Sequence, residues 1–353
     1  VRMRAGATSQ GGGRGAAVLL GVLLGVWAGE ARAKGLQVEF DLQTPLFLDR
    51  TYLFASPNRI QRLGDPESPA PLLIEGQFAP NLFLPQLRYG DFKQDGRETL
   101  FSLVFTPKIL LRMLNTDSNP ILPPSYMPKF TLQAAHLRLL HGPDRDGEPR
   151  VLALGLNVIL GHHSNGEDGC FFANQTGKDP DCTPAEGQLP LNEVTGSFST
   201  NLLRIEVHGR LGFEVDPHKL NAWLIGANAF YELNTAIGPG GMSSQQRTVY
   251  GNGHWGVGLV GERAVNGNRF RLEGALSHPF GETPGQRSTL SVEAAANPRW
   301  GSGFGVFARY VRGQDYYNIL FLERISLWQF GLVFELNPGT RLKTDSGKPP
   351  GFQ

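Results

Sequence analysis

His162 and Ser164 stand two residues apart at the end of a run with strict alternation. Leu152, Leu154, Leu156, Val158 and Leu160 share one parity, and Ala153, Gly155, Asn157, Ile159 and Gly161 share the other. In a β-strand successive side chains point to opposite faces, so His162 and Ser164 leave the chain on the apolar face, side by side. A serine hydroxyl becomes a nucleophile when a neighbouring base removes its proton, and the base needs a third group to hold its tautomer. Asn201 is the candidate for that third group. It has the parity of Leu203 and Ile205, so it too belongs to an apolar face, and its carbonyl oxygen can accept an imidazole N–H. The implied chemistry is acyl transfer, and the apolar surroundings imply a lipid substrate. His163 has the opposite parity and is assigned no role. Asn165-Gly166 is by itself a common turn dipeptide.

The elements that must position these residues are strands. Strand-like segments recur from residue 36 onward, at 36–42, 52–55, 79–88, 98–105, 129–140, 150–161, 201–215, 219–233, 249–262, 268–277, 288–296, 303–312 and 324–336. In 201–215 the odd positions carry Leu203, Ile205, Val207, Leu211, Phe213 and Val215, while the even ones carry Arg204, Glu206, His208, Arg210 and Glu214. An apolar outside with a charged inside is the pattern of a transmembrane barrel. His208 is read as a member of the lumen network. Trp223 and Tyr231 share a face, with Ile225, Ala227 and Ala229 between them. At about 3.3 Å per residue they lie roughly 26 Å apart, where two lipid headgroup layers would be. The expected fold is an all-β, antiparallel transmembrane β-barrel of about twelve strands. A soluble β-sandwich is the weaker reading of the same strands. The loop 166–196 is long and the turn at Asp216-Pro217-His218 short. Such barrels carry long loops outside and short periplasmic turns, so the His/Ser end is expected at the outer leaflet.

Residues 1–33 read as a secretory signal. Arg2, Arg4 and Arg14 precede an apolar core at 16–28, and Ala31-Arg32-Ala33 fits a cleavage site. The barrel is expected over 34–336 and a polar, disordered tail over 337–353. No later segment is a long apolar run of the kind a membrane helix needs. Lys and Arg total 33 against 32 Asp and Glu, a net charge of +1, which argues against a nucleic-acid partner. Cys170 and Cys182 lie in one polar segment. In an exported chain their default is a local disulfide, since no nearby His or second Cys pair completes a zinc site.

His162-x-Ser164-Asn165-Gly166, followed by Ser197-Phe198-Ser199-Thr200-Asn201, resembles the outer membrane phospholipase A family, whose motifs are H-x-S-N-G and then S-x-S-x-N. Ser118-Asn119-Pro120-Ile121 with Tyr126-x-Pro128 is similar to a further segment of that family. Tyr52-Leu53-Phe54 looks like its N-terminal arm, and 313–318 with the strand around Gly331 looks like its closing hairpin. The resemblance runs in order over nearly the whole mature chain. It implies a twelve-stranded barrel in the bacterial outer membrane. It also implies calcium-dependent hydrolysis of the acyl esters of membrane phospholipid, with activity in a homodimer. Carried over, Ser164 is the nucleophile, His162 the base and Asn201 the orienter. Calcium would be held by the Ser197 hydroxyl, the backbone carbonyl of Glu167 and the Ser118 carbonyl of a second copy; hard oxygens suit that ion. The chain departs from the family in its much longer loop between the two motifs, which holds both cysteines. It also has Pro107 where the family has a buried glutamine that helps the dimer.

Two other readings compete. A lipid A deacylase barrel also carries H-x-S-N on an outward strand, but on eight strands and with an acidic orienter. A porin-like barrel without catalysis would keep the loop alone, whereas Arg204, Glu206 and Arg210 look mutually neutralising.

Overall fold

The alternation read along the chain is the alternation of a closed wall. The computed structural model describes residues 37–39, 47–56, 72–115, 121–141, 150–184, 190–216, 221–281, 288–301, 303–334, 342–343 and 351–352. Residues 1–33, read as a signal, together with Ser118 and most of the tail lie outside the described residues. Beyond Phe334 the described residues are Leu342–Lys343, paired with Gly351–Phe352.

Strands β1 (Gln37–Glu39), β2 (Thr51–Ala55), β3 (Leu72–Phe78), β4 (Leu82–Asp91), β5 (Arg97–Leu114), β6 (Ser125–His141), β7 (Arg150–Ser164), β8 (Ser199–Asp216), β9 (Asn221–Thr235), β10 (Gly253–Val265), β11 (Asn268–Phe280), β12 (Thr289–Asn297), β13 (Phe304–Gln314) and β14 (Arg324–Phe334) follow in order. From β5 to β14 each strand pairs antiparallel with the next. The ring then closes through β2 and β3 back onto β5. Strand β4 continues the line of β3 along the rest of β5, so the wall is a closed antiparallel barrel of twelve strands.

Three segments differ from the sequence reading. Leu72–Phe78, absent from the expected strands, is β3, and the strand expected at 79–88 begins only at Leu82. The strand expected at 52–55 is present as β2, but where the resemblance implied an arm it closes the ring between β14 and β3. The strand expected at 98–105 runs on to Leu114, through Pro107. Its neighbour is interrupted there: Phe78 pairs with Ile109 and Leu82 with Phe105, leaving 79–81 out of the ladder. On the other side Pro107 faces Pro128. A proline forgoes little where the adjacent ladder is already broken. Side chains close the gap instead, with Thr106 Oγ1 donating to Asn81 Oδ1 at 2.8 Å and Ala79 N–H to Thr51 Oγ1 at 3.0 Å.

The outer face is apolar. Phe130, Leu160, Ile205, Val207, Ile225, Leu259, Phe270, Leu272, Val306 and Phe330 are all exposed large hydrophobics. Water would penalise such a continuous belt, and a lipid bilayer removes the penalty. The closed wall with this apolar belt is an outer-membrane type of barrel. No helix among the described residues is long and apolar enough to cross a membrane. Trp223 and Tyr231 point outward as expected.

The lumen is polar and crossed by ion pairs. Asp49 pairs with Lys129 at 2.8 Å and Lys108 at 3.4 Å. Glu293 holds Arg50 at 2.7 Å and Arg309 at 2.8 Å. His208 lies 3.3 Å from Glu206 and stacks on Phe47. Arg204 bridges Glu206 at 2.5 Å and Glu232 at 3.6 Å. The long-loop end is capped by an apolar cluster that includes Phe171, Phe172, Leu191, Phe198, Met242, Tyr250, Tyr317 and Phe321. The inserted loop between the two motifs therefore contributes to the cap. Cys170 and Cys182 are joined as expected, with 5.6 Å between Cα atoms.

Candidate active site

The ladder between β7 and β8 sets the geometry. His162 pairs with Asn201, and Ser164 with Ser199. On the other side Ser164 pairs with Tyr126, and Asn201 with Thr235. Cross-strand partners carry their side chains on the same face, so Tyr126, Ser164 and Ser199 form one outward row and His162, Asn201 and Thr235 the next. One step below runs an apolar row of Phe130, Leu160, Leu203 and Leu233. Leu160 in that row is 61% exposed. The polar groups thus sit directly on the edge of the apolar belt.

His162 and Asn201 are in contact. Nδ1 of the imidazole lies 2.8 Å from Asn201 Oδ1. The amide nitrogen of Asn201 donates to two backbone carbonyls, Ile237 at 2.7 Å and Pro239 at 3.0 Å. With both N–H groups engaged there, only the carbonyl oxygen is left to face the ring. The imidazole must then donate from Nδ1, which leaves its lone pair on Nε2 for a proton. Ser164 is brought to the same face, one ladder step away, but no hydrogen bond joins its hydroxyl to the ring. Catalytic hydrogen bonds often close only when substrate is bound.

The turn after Ser164 is held by Asn165, which is buried. Its amide donates to Gly196 O at 2.7 Å, and its oxygen accepts from Phe198 N–H at 2.9 Å and Glu167 N–H at 3.3 Å. This side chain ties the Glu167 turn to the segment, with Ser197 in it, that leads into β8. Ser197 is buried; its hydroxyl donates to Asp179 Oδ2 at 3.0 Å and its carbonyl accepts from Gln246 Nε2 at 3.1 Å. Asp179 belongs to the insertion and was not a sequence candidate. Among the described residues no group of three or more His, Cys, Asp and Glu side chains could hold a metal. A cation here would depend on hydroxyl, backbone and single carboxylate oxygens, the hard donors that calcium accepts.

His163 points inward, as its parity required, and packs edge-on against Phe198 with 4.7 Å between ring centres. Sequence reasoning missed the loop after β9. Gly240 lies against His162, and Ser199 Oγ donates to Gly240 O at 2.6 Å. The available signal was Gly238-Pro239-Gly240-Gly241. Such a cluster marks a loop but not what the loop touches.

No protein-family model matches this chain, and no curated protein matches it. Among solved structures it is similar to outer membrane phospholipase A from Escherichia coli, with 11% identity and a TM-score of 0.36 over 84% of this chain and 94% of that one. It is also similar to an active-site mutant of that enzyme, at 12% identity and a TM-score of 0.39 over the same shares, 84% and 94%. The β domain of the Bordetella autotransporter BrkA aligns at 13% identity and a TM-score of 0.30, over 81% and 97%. Likeness this loose does not extend to the site, whose reading rests on its own geometry.

Proposed function

We propose that this barrel is an outer-membrane phospholipase that hydrolyses acyl esters of glycerophospholipids with a Ser164–His162–Asn201 triad on its lipid-facing wall. One observation carries the reading: the His162–Asn201 hydrogen bond of 2.8 Å lies on the outward face, in register beside Ser164. A structural barrel has no need for a base with a locked tautomer at the rim of its apolar belt. The expected specificity is that of a phospholipase A1/A2 and lysophospholipase. The long-loop end, and the site with it, faces the outer leaflet.

The chain's residues act as follows. An ester at the headgroup boundary meets the Ser164 hydroxyl from the membrane side, with its acyl chain along Leu160 and Leu203. Nε2 of His162 takes the Ser164 proton as the oxygen bonds to the carbonyl carbon, and later gives it to the leaving alkoxide. Asn201 holds the ring in the tautomer that makes this possible. Water then hydrolyses the acyl-serine by the same route. Ser197 and the Glu167 carbonyl of one copy, with the Ser118 carbonyl of the other, would hold calcium. Bound there, the ion would supply electrostatic stabilisation of the oxyanion. These donors are hard oxygens of the kind calcium takes, and Asp179 at 3.0 Å from Ser197 would add a carboxylate to them. Activity in a homodimer follows if the metal is shared.

The test is release of fatty acid from detergent-dispersed phospholipid, with and without calcium, by the folded protein and by its Ser164→Ala variant. Calcium-dependent release that Ser164→Ala abolishes is the expected result. Equal release by the variant, or none by the parent protein, overturns the proposal.

A further inference from the structure

We propose that the loop segment 237–241 is the positioning element of this site, and that its carbonyls are the reason the third residue is an amide and not a carboxylate. The inference rests on the hydrolase reading for its kinetic consequences but not for its geometry.

Asn201 uses every polar group it has. Its two N–H groups go to Ile237 O at 2.7 Å and Pro239 O at 3.0 Å, and its oxygen to His162 Nδ1 at 2.8 Å. Put an oxygen where Nδ2 stands and two carbonyl oxygens face an acceptor with no proton between them. An ionised Asp at this place would be repelled by both. Protonated, it would carry a single O–H against two carbonyl acceptors, so one of the two clamping bonds is lost in either form. In an unclamped triad the opposite holds: a carboxylate stabilises the imidazolium and serves better than an amide.

The same loop restrains the ring. Gly240 has φ +74, and a Cβ built there would lie 2.6 Å from His162 Cε1 and 3.3 Å from Nδ1. The imidazole therefore rests against bare backbone. Ser199, the register partner of Ser164, fastens the loop a third time through Gly240 O at 2.6 Å. The loop thus meets the orienter twice and the base once. Gly238 supplies a control. It has a similar φ of +79, but a Cβ there would stand 3.6 Å from Asn201 Nδ2, an ordinary contact.

The experiment has two readouts on the full-length protein refolded in detergent, each variant first checked for a heat-modifiable, folded band. The first is kcat, KM and pH profile on a soluble ester for Asn201→Asp, Gly240→Ala and Gly238→Ala. Asn201→Asp is expected to lose at least about tenfold in kcat at every pH, the scale of a lost orienting bond to a group that becomes charged. Gly240→Ala is expected to lose kcat with KM held, and Gly238→Ala far less. The second readout is nitrogen NMR of ring-labelled histidine, with His162→Gln used to assign the signal. The parent protein is expected to show His162 as a single Nδ1–H tautomer, and Asn201→Asp to lose it. Asn201→Asp as fast as the parent, Gly240→Ala equal to Gly238→Ala, or a parent His162 exchanging between tautomers overturns the clamp. A locked tautomer in a protein that hydrolyses nothing sinks the hydrolase reading and leaves the clamp standing, whereas exchanging tautomers in an active enzyme sink the clamp alone.

Discussion

Replacing Asn201 by Ala removes one interaction from the chemistry and little from the fold, and the structure sets the size of the loss. The bond at stake is the 2.8 Å contact from His162 Nδ1 to Asn201 Oδ1. As Nε2 takes the serine proton the ring becomes charged, so the bond strengthens in the transition state. A hydrogen bond to a charged group contributes about 1.5–3 kcal/mol. At about 1.4 kcal/mol per decade this corresponds to a fall of roughly 10- to 150-fold in kcat. The two carbonyls that Asn201 releases, of Ile237 and Pro239, lie at the exposed rim and can turn to water, so folding should cost little. Loss of the nucleophile itself removes a factor of about 10⁴ to 10⁶. Initial rates on phospholipid in mixed micelles, compared across parent, Asn201→Ala and Ser164→Ala, should therefore give three separate levels, with the heat-modifiable band unchanged. Asn201→Ala as fast as the parent would refute the assignment of the orienter, and so would an Asn201→Ala variant as inactive as Ser164→Ala.

Ser164→Ala should leave less than about a thousandth of the parent rate; more residual turnover, measured with a chromogenic ester, points to another nucleophile. If calcium bridges Ser197 of one copy and the Ser118 carbonyl of the other, metal binding and dimerisation must strengthen each other by the same factor. Sedimentation during a calcium titration should then show chelator-treated protein as inactive monomer, with Ser197→Ala needing more calcium for both mass and rate; full activity in a metal-free monomer refutes the link. The Cys170–Cys182 bridge closes a loop with a sequence separation of 12, for which chain entropy gives about 3 kcal/mol. Its Ser/Ser variant should be cut in the insertion by protease up to about a hundredfold faster while the barrel stays folded. Arg112 is fully buried between Glu75 at 2.9 Å and Asp315 at 2.7 Å. Arg112→Ala should lower unfolding stability by about 3–5 kcal/mol, because two buried carboxylates lose their partner; an unchanged denaturant midpoint would refute that.

How far each feature could be read from the chain follows from the range of the forces that set it. Period-2 alternation is local, so most of the wall strands, though not β3, the outward parity of His162, Ser164 and Asn201, and the inward parity of His163 were legible in the sequence. The disulfide was legible because both cysteines lie in one loop of an exported chain. Other features depend on partners distant in sequence. Strand β5 runs through Pro107 because β3 and β4 break opposite it, and nothing near residue 107 announces a gap at 79–81. The strand at 52–55 was legible, but its place in the wall was not, because that is set by β14, nearly three hundred residues away, whose edge it covers. Phe171 and Phe172 look like residues of a polar insertion until the barrel mouth gathers them with Tyr250 and Phe321. The clamp on Asn201 is the clearest case. The sequence by itself determined which side chains could form a triad, because residue type and parity are local. Only the tertiary structure decided which way the amide of Asn201 turns, because that choice belongs to two backbone carbonyls on a loop 36 and 38 residues further along. Every residue but proline carries both backbone groups, so no side-chain pattern encodes their position.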